Sequence, residues 1–189
     1  AKLRMEMRTE LKRLHQMTRT TVVYVTHDQI EAMTLATRIA VMRGGRIEQL
    51  DTPENIYNRP ATLYVATFVG APPMNLLAAT VNAGRAVIEG SGIALAVPGL
   101  ETMTEGRRLV LGIRPEALGP SGEGVSLDAR CEVAELTGPE LVVTASVGGQ
   151  RLVAALPAAA GVKAGEEISL RVQPAAIHVF DAETEQRLN

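Results

Sequence analysis

Apolar and polar residues follow two different rhythms along the chain, and the change falls near residue 70. The first segment, Lys2 to Met17, places Leu3, Met7, Leu11 and Leu14 at helical spacing. That predicts an amphipathic helix with an ordinary packing face and with Arg4, Arg8, Lys12 and Arg13 on its solvated side. Thr21 to Val25 then breaks the period, being a short β-branched and aromatic run without alternation, the pattern of a strand covered on both faces. The predicted strand stops at His27 and turns straight into a helix. Asp28 suits the N-cap, Glu31 three residues on gives the acidic form of a capping box, and Ile30, Met33 and Ala36, with Leu35 beside them, supply a buried face. Arg38 to Ile47 reads as a strand, a turn at Gly44-Gly45 and a second strand. Thr52 can cap a further helix whose first position is Pro53.

Gly70-Ala71-Pro72-Pro73 is a turn-forming cluster and sets the expected domain boundary, with residues 1–70 before it and 71–189 after. Beyond it the pattern becomes a series of short strands separated by glycine and proline turns. The candidates are Leu77 to Val81, Ala86 to Ile88, Ile93 to Val97, Leu109 to Ile113, Val125 to Leu136, Leu141 to Val147, Arg151 to Leu156, Ile168 to Val172 and Ile177 to Phe180. Many short strands with polar turns imply a small barrel of OB-like type.

Barrels of this type often bind nucleic acid, and charge weighs against that here. Residues 70 to 189 carry a net charge of −5 and residues 1 to 69 a net charge of +3, so the barrel repels phosphates. Phe180 is the only aromatic residue after Phe68, whereas single-strand binders use several aromatic platforms. No nucleic-acid partner is expected. With 189 residues there is room for two compact units, each with a limited core. No apolar run approaches the roughly 20 residues needed to span a bilayer, and no cleavable targeting segment is recognised at the start. The lone Cys131 permits no intrachain disulfide, which fits a reducing compartment, and its setting reads as an ordinary strand residue.

The candidate functional residue is His27, because the carboxyl end of a parallel strand is where open α/β sheets place ligand-binding groups. A structural, hydrogen-bonding histidine is the competing reading from the residues alone. Tyr24 to Ala36 (YVTHDQIEAMTLA) closely resembles the switch-histidine segment of ATP-binding-cassette (ABC) transporter ATPases, in particular the maltose-importer-like subunits that drive carbohydrate and sn-glycerol-3-phosphate import. The resemblance continues through Arg38 to Ile47 and Asp51 to Tyr57. Arg59-Pro60 and the Tyr64 to Phe68 run resemble the short helices that close the ATPase domain. Gly112-Ile113-Arg114-Pro115-Glu116 resembles the mark of the family's C-terminal regulatory domain, and Ile177-His178-Val179-Phe180-Asp181 leans toward the glycerol-3-phosphate type.

The resemblance implies an α/β fragment, the end of an ABC ATPase domain carrying the switch histidine (1–70), followed by an all-β, OB-like, TOBE-type regulatory barrel (71–189). It implies that His27 is catalytic, contacting the terminal phosphate of ATP and stabilising charge during hydrolysis, with ATP and Mg2+ as cofactors of the intact parent. The implied partners are a second copy, membrane-spanning permease subunits and a regulatory protein, with the subunit peripheral at the cytoplasmic face of the membrane. No stretch fits G-x-x-x-x-G-K-[ST], and no apolar strand ending in Asp-Glu precedes His27. The chain alone is therefore expected to be inactive, without a cofactor or metal site of its own. Ala1-Lys2-Leu3-Arg4 resembles the residues after the dimer-contacting D-loop, and the chain reads as a C-terminal piece of a longer ATPase.

Three further expectations follow. Ser146-Val147-Gly148-Gly149-Gln150 is similar to the ATP-binding LSGGQ signature, but its flanks predict a hairpin turning at Gly148-Gly149. Arg114 and Glu116 read as a structural turn with a surface ion pair; a stand-alone regulatory or small-oxyanion-binding module is the alternative function. Thr21 to Val25 needs strand neighbours that residues 1–69 do not offer, so it is expected to be poorly protected, or buried against another copy.

Overall fold

A computed structural model describes residues 2–189; Ala1, and with it the start of the D-loop-like run, lies outside the described residues. The chain divides between Ala61 and Thr62 into two compact units.

In the first unit, α1 (Lys2–Thr18) is followed by α2 (Gln29–Leu35), the antiparallel hairpin β1 (Ile39–Arg43) and β2 (Arg46–Asp51), and α3 (Pro53–Asn58). Gly44 and Gly45 both lie in the left-handed region, φ +55° and +77°, which matches a tight two-residue turn to the twist of its strands. The Thr52 side chain accepts the Asn55 N–H and Pro53 opens α3, as the sequence predicts. Two expectations are corrected. Thr21 to Val25 forms no strand, because β1 and β2, the other strands of this unit among the described residues, pair only with each other. The helical face of Leu3, Met7, Leu11 and Leu14 is exposed rather than packed. Both segments are apolar surfaces without cover.

The second unit opens with α4 (Leu63–Phe68) and continues as β3 (Asn75–Asn82), β4 (Arg85–Ile88), β5 (Ala94–Leu95), β6 (Arg108–Ile113), β7 (Val125–Leu136), β8 (Glu140–Val147), β9 (Gln150–Pro157), β10 (Glu167–Val172) and β11 (Ile177–Asp181). Each sequence-derived strand is found. β5 shrinks to two residues because the short β4 offers it only Ala86 and Val87. All neighbouring strands are antiparallel, in one sheet ordered β11-β6-β3-β4-β5 and another ordered β10-β7-β8-β9. The part is barrel-like, but the two sheets do not close into one hydrogen-bonded cylinder.

Strict alternation, as in β8 where Leu141, Val143, Ala145 and Val147 point inward, places one face of each sheet in a shared core with Leu77, Leu111, Ile113, Leu127, Leu152 and Val179. Two side-chain amides join the sheets. Asn75 in β3 accepts the Val153 N–H at 2.7 Å and donates to the Val153 carbonyl at 2.7 Å. Gln150 in β9 accepts the Ala78 N–H at 2.7 Å and donates to the Ala78 carbonyl at 3.1 Å. The end of the unit folds back along β11: Leu188 N–H donates to the Val179 carbonyl, Asn189 Oδ1 accepts the Val179 N–H, and Gln186 bridges Thr62.

Candidate functional site

His27 lies in the turn between the unpaired Thr21 to Val25 run and α2. The turn is ordered by hydrogen bonds on both sides of it. Asp28 is the N-cap as predicted, its side chain accepting the N–H groups of Ile30 at 2.9 Å and Glu31 at 3.1 Å. Those two donors, the nearby Arg4 and Arg8, and the Glu31 bond above all, hold its carboxyl below the usual carboxylate range. Arg4 of α1 donates to Asp28 Oδ2 at 3.2 Å.

The capping box closes differently from the sequence pattern. Glu31 does not reach the Asp28 N–H, which instead donates to Thr26 Oγ1 at 3.0 Å. Glu31 is buried, 8% exposed as a residue, and its carboxylate accepts hydrogen bonds from Thr26 Oγ1 at 2.7 Å and Tyr24 Oη at 3.0 Å. The Glu31 bond raises the Tyr24 phenol above its ordinary value. His27 itself is exposed and, among the described residues, makes no side-chain hydrogen bond. It borders an open cleft of about 310 Å³ with Leu3, Arg4, Met7, Thr26, Asp28 and Glu31. Such an imidazole can donate to an anion. The predicted buried face of α2 is incomplete, since Ile30 is exposed while Met33, Leu35 and Ala36 are half-buried.

No cluster of three or more His, Cys, Asp or Glu side chains that could hold a metal occurs among the described residues, and Asp28 is occupied as a cap.

In the second unit the signature-like run Ser146 to Gln150 is the end of β8, its turn and the start of β9, with Gly148 and Gly149 at φ +56° and +79°. Arg114 corrects the surface-turn reading. It is 5% exposed, and its Nη1 donates to the carbonyls of Ala66, at 3.1 Å, and Val69, the last turn and C-cap of α4. A cation at the carbonyl end of a helix is favourable. Gly112, two residues before it, has no room for a side chain: a Cβ there would sit 2.5 Å from Met74 Sδ and 2.8 Å from Phe180 Cε2. Met74 and Phe180 form a small cluster with Ala66 under α4.

The terminal motif is also structural. His178 is half-buried, and burial, then Arg187 and Arg114, push its imidazole down to about 4. Asp181 accepts the N–H groups of Thr184 and Glu183 and a two-pronged contact from Arg107 at 2.7 and 3.1 Å, which hold its carboxyl far below the ordinary range.

Two family descriptions match this framework, the MalK OB fold domain over residues 70–118 and the TOBE domain over residues 111–180. The second unit thus carries a match to a MalK OB fold domain followed by a match to a TOBE domain, overlapping at residues 111–118. Across its whole length it is 46% identical to the sulfoquinovosyl glycerol transport ATP-binding protein SmoE of Agrobacterium fabrum, covering 54% of that protein. It is 44% identical to the sn-glycerol-3-phosphate import ATP-binding protein UgpC of Chromobacterium violaceum, with 100% of this chain and 51% of that protein aligned. A solved structure of the cytoplasmic molybdate-binding protein ModG aligns with 56% of this chain and 94% of its own, at 19% identity and a TM-score of 0.46. The homologues are ATP-binding subunits of ABC importers, and the chain spans about half the length of the curated relatives it matches.

Proposed function

We propose that the chain is part of the ATP-hydrolysing subunit of an ABC importer for sugars or sn-glycerol-3-phosphate, and contributes the switch histidine and the regulatory domains. The observation that carries this reading is similarity along all of the chain to a sulfoquinovosyl glycerol transport ATP-binding protein and an sn-glycerol-3-phosphate import ATP-binding protein. In this reading residues 1–70 belong to the ATPase domain and residues 71–189 form the regulatory domain. His27 contacts the terminal phosphate of ATP and stabilises charge developing during transfer to water, an electrostatic and positioning role. Its exposure and its lack of a side-chain partner among the described residues suit a group that waits for a ligand.

The intact subunit works with a second copy, with permease subunits in the membrane and with a regulatory protein, and lies at the cytoplasmic face through the permease. No described helix is long and apolar enough to cross a membrane. ATP and Mg2+ act in the intact subunit; the 189-residue chain alone does not hydrolyse ATP, for want of a phosphate-binding loop and a catalytic carboxylate.

Reading the native coding sequence upstream of Ala1 tests the assignment. A phosphate-binding glycine loop, an LSGGQ-like helix start and an Asp-Glu strand end, all in frame, support it. A start codon immediately upstream overturns it. In the intact subunit, His27→Ala should reduce hydrolysis at least tenfold and leave ATP binding largely in place; undiminished turnover would remove His27 from the chemistry.

A further inference from the structure

We infer that Glu31 is the positioning residue for His27: its buried carboxylate locks the turn that presents the imidazole, an inference that rests on the hydrolytic reading of His27. Among the described residues the buried charged ones are Glu31, Arg114 and Asp181, and a buried carboxylate persists only where hydrogen bonds replace water. A helix cap does not require it, since Asp28 alone accepts the first free N–H groups of α2. What the Glu31 carboxylate does is gather two hydroxyls from the chain before the histidine, Tyr24 Oη at 3.0 Å and Thr26 Oγ1 at 2.7 Å.

The consequence for His27 follows from connectivity. Thr26, immediately before it, is tied to the Glu31 carboxylate and also accepts the Asp28 N–H at 3.0 Å. Asp28, immediately after it, accepts the Glu31 backbone N–H at 3.1 Å. Both neighbours of His27 are thus fixed through one residue, while the ring itself is exposed beside the cleft. Side chain and backbone of Glu31 set where the imidazole stands without touching it. A group that must meet a phosphate at hydrogen-bond distance loses rate quickly when misplaced by an ångström.

The test uses the intact ATP-binding subunit assembled with its permease, with Glu31→Ala, Glu31→Gln, His27→Ala and the double variant of Glu31→Ala with His27→Ala. Glu31→Ala is expected to lose at least tenfold in kcat with KM for ATP within twofold. Glu31→Gln keeps an oxygen that accepts hydroxyls and should retain most of the turnover. The double variant should be no slower than His27→Ala, because a residue that acts through His27 has nothing left to position. In the 189-residue chain, Glu31→Ala should lower the backbone order parameters of residues 26–28 below about 0.6 while β1 and β2 stay near about 0.85. If Glu31→Ala does not fold, Tyr24→Phe combined with Thr26→Val removes the same two hydroxyls and carries the same expectations.

A fast Glu31→Ala beside a slow His27→Ala overturns the positioning role alone. Losses that multiply in the double variant also overturn it, since they mean independent action. A His27→Ala subunit that hydrolyses at the native rate instead overturns the hydrolytic reading on which the inference stands.

Discussion

Asn75 and Val153 pair as if both were backbone residues of one sheet: the amide of Asn75 accepts the Val153 N–H and donates to the Val153 carbonyl, each at 2.7 Å, although the two strands belong to different sheets. The same amide donates to the Ile113 carbonyl at 3.0 Å within its own sheet. Asn75→Ala should destabilise the unit by about 1–3 kcal/mol, because it leaves a buried donor and acceptor unpaired. Asn75→Asp should be worse than Ala, since a carboxylate accepts the N–H but faces two carbonyls without a donor. Thermal unfolding of both variants checks the order; an aspartate variant more stable than the alanine variant would contradict it.

Gly112 is required by what crosses it. Gly112→Ala places a methyl against Met74 and the Phe180 ring and should cost about 1–3 kcal/mol through overpacking. Adding Met74→Ala removes the closer obstacle and should return part of that loss beyond the sum of the two single effects. Denaturant midpoints of the two single variants and the double measure this coupling. Additive losses would place the clash elsewhere.

Arg114→Met should release the end of α4 more than it unfolds the sheets. It takes the donor from the Ala66 and Val69 carbonyls while keeping much of the side-chain volume. Hydrogen bonds to a charged group contribute about 1.5–3 kcal/mol. Amide exchange should therefore quicken over 63–69 before it does in β3 or β6. Unchanged exchange over 63–69 would show that the helix end does not depend on the guanidinium.

Acid should weaken the second unit in two stages. His178 titrates at about 4 in the folded unit and at 6.5 in a free side chain, so the unfolded chain takes up the proton first. Its contribution is intact above 6.5 and is lost as pH falls from 6.5 to about 4. Asp181 is held below its free value of 3.8, so its contribution is intact above 3.8 and is lost on further acidification. The Tm of His178→Gln should therefore fall less than that of the native chain between pH 7 and pH 4.5. Parallel Tm curves would show that burial beside the arginines does not perturb this histidine.

The strands of the second unit were legible because their inward positions alternate with solvated ones and glycine or proline punctuates every turn. Thr52, Pro53 and Asp28 were legible because a helix start is a local event. Arg114 was not: the carbonyls it serves lie 48 and 45 residues earlier in the chain, and no local pattern links Arg114 to Ala66 or Val69. Glu31 was read as a capping-box acid because spacing alone cannot say that the Thr26 hydroxyl would reach the Asp28 N–H first. Val22 to Val25 misled for a reason of scale, since a run suited to a buried parallel strand has no strand to lie beside among the described residues.

The Thr62–Gln186 bridge joins the first residue of the second unit to its closing segment, and Leu63 N–H donates to the Glu185 carbonyl beside it. The two ends of this 62–189 stretch are therefore neighbours, and the chain order within it is not dictated by geometry. A short glycine-serine link from 189 to 62, with new ends opened in the exposed turn at 121–123, should yield a circular permutant with the same two sheets.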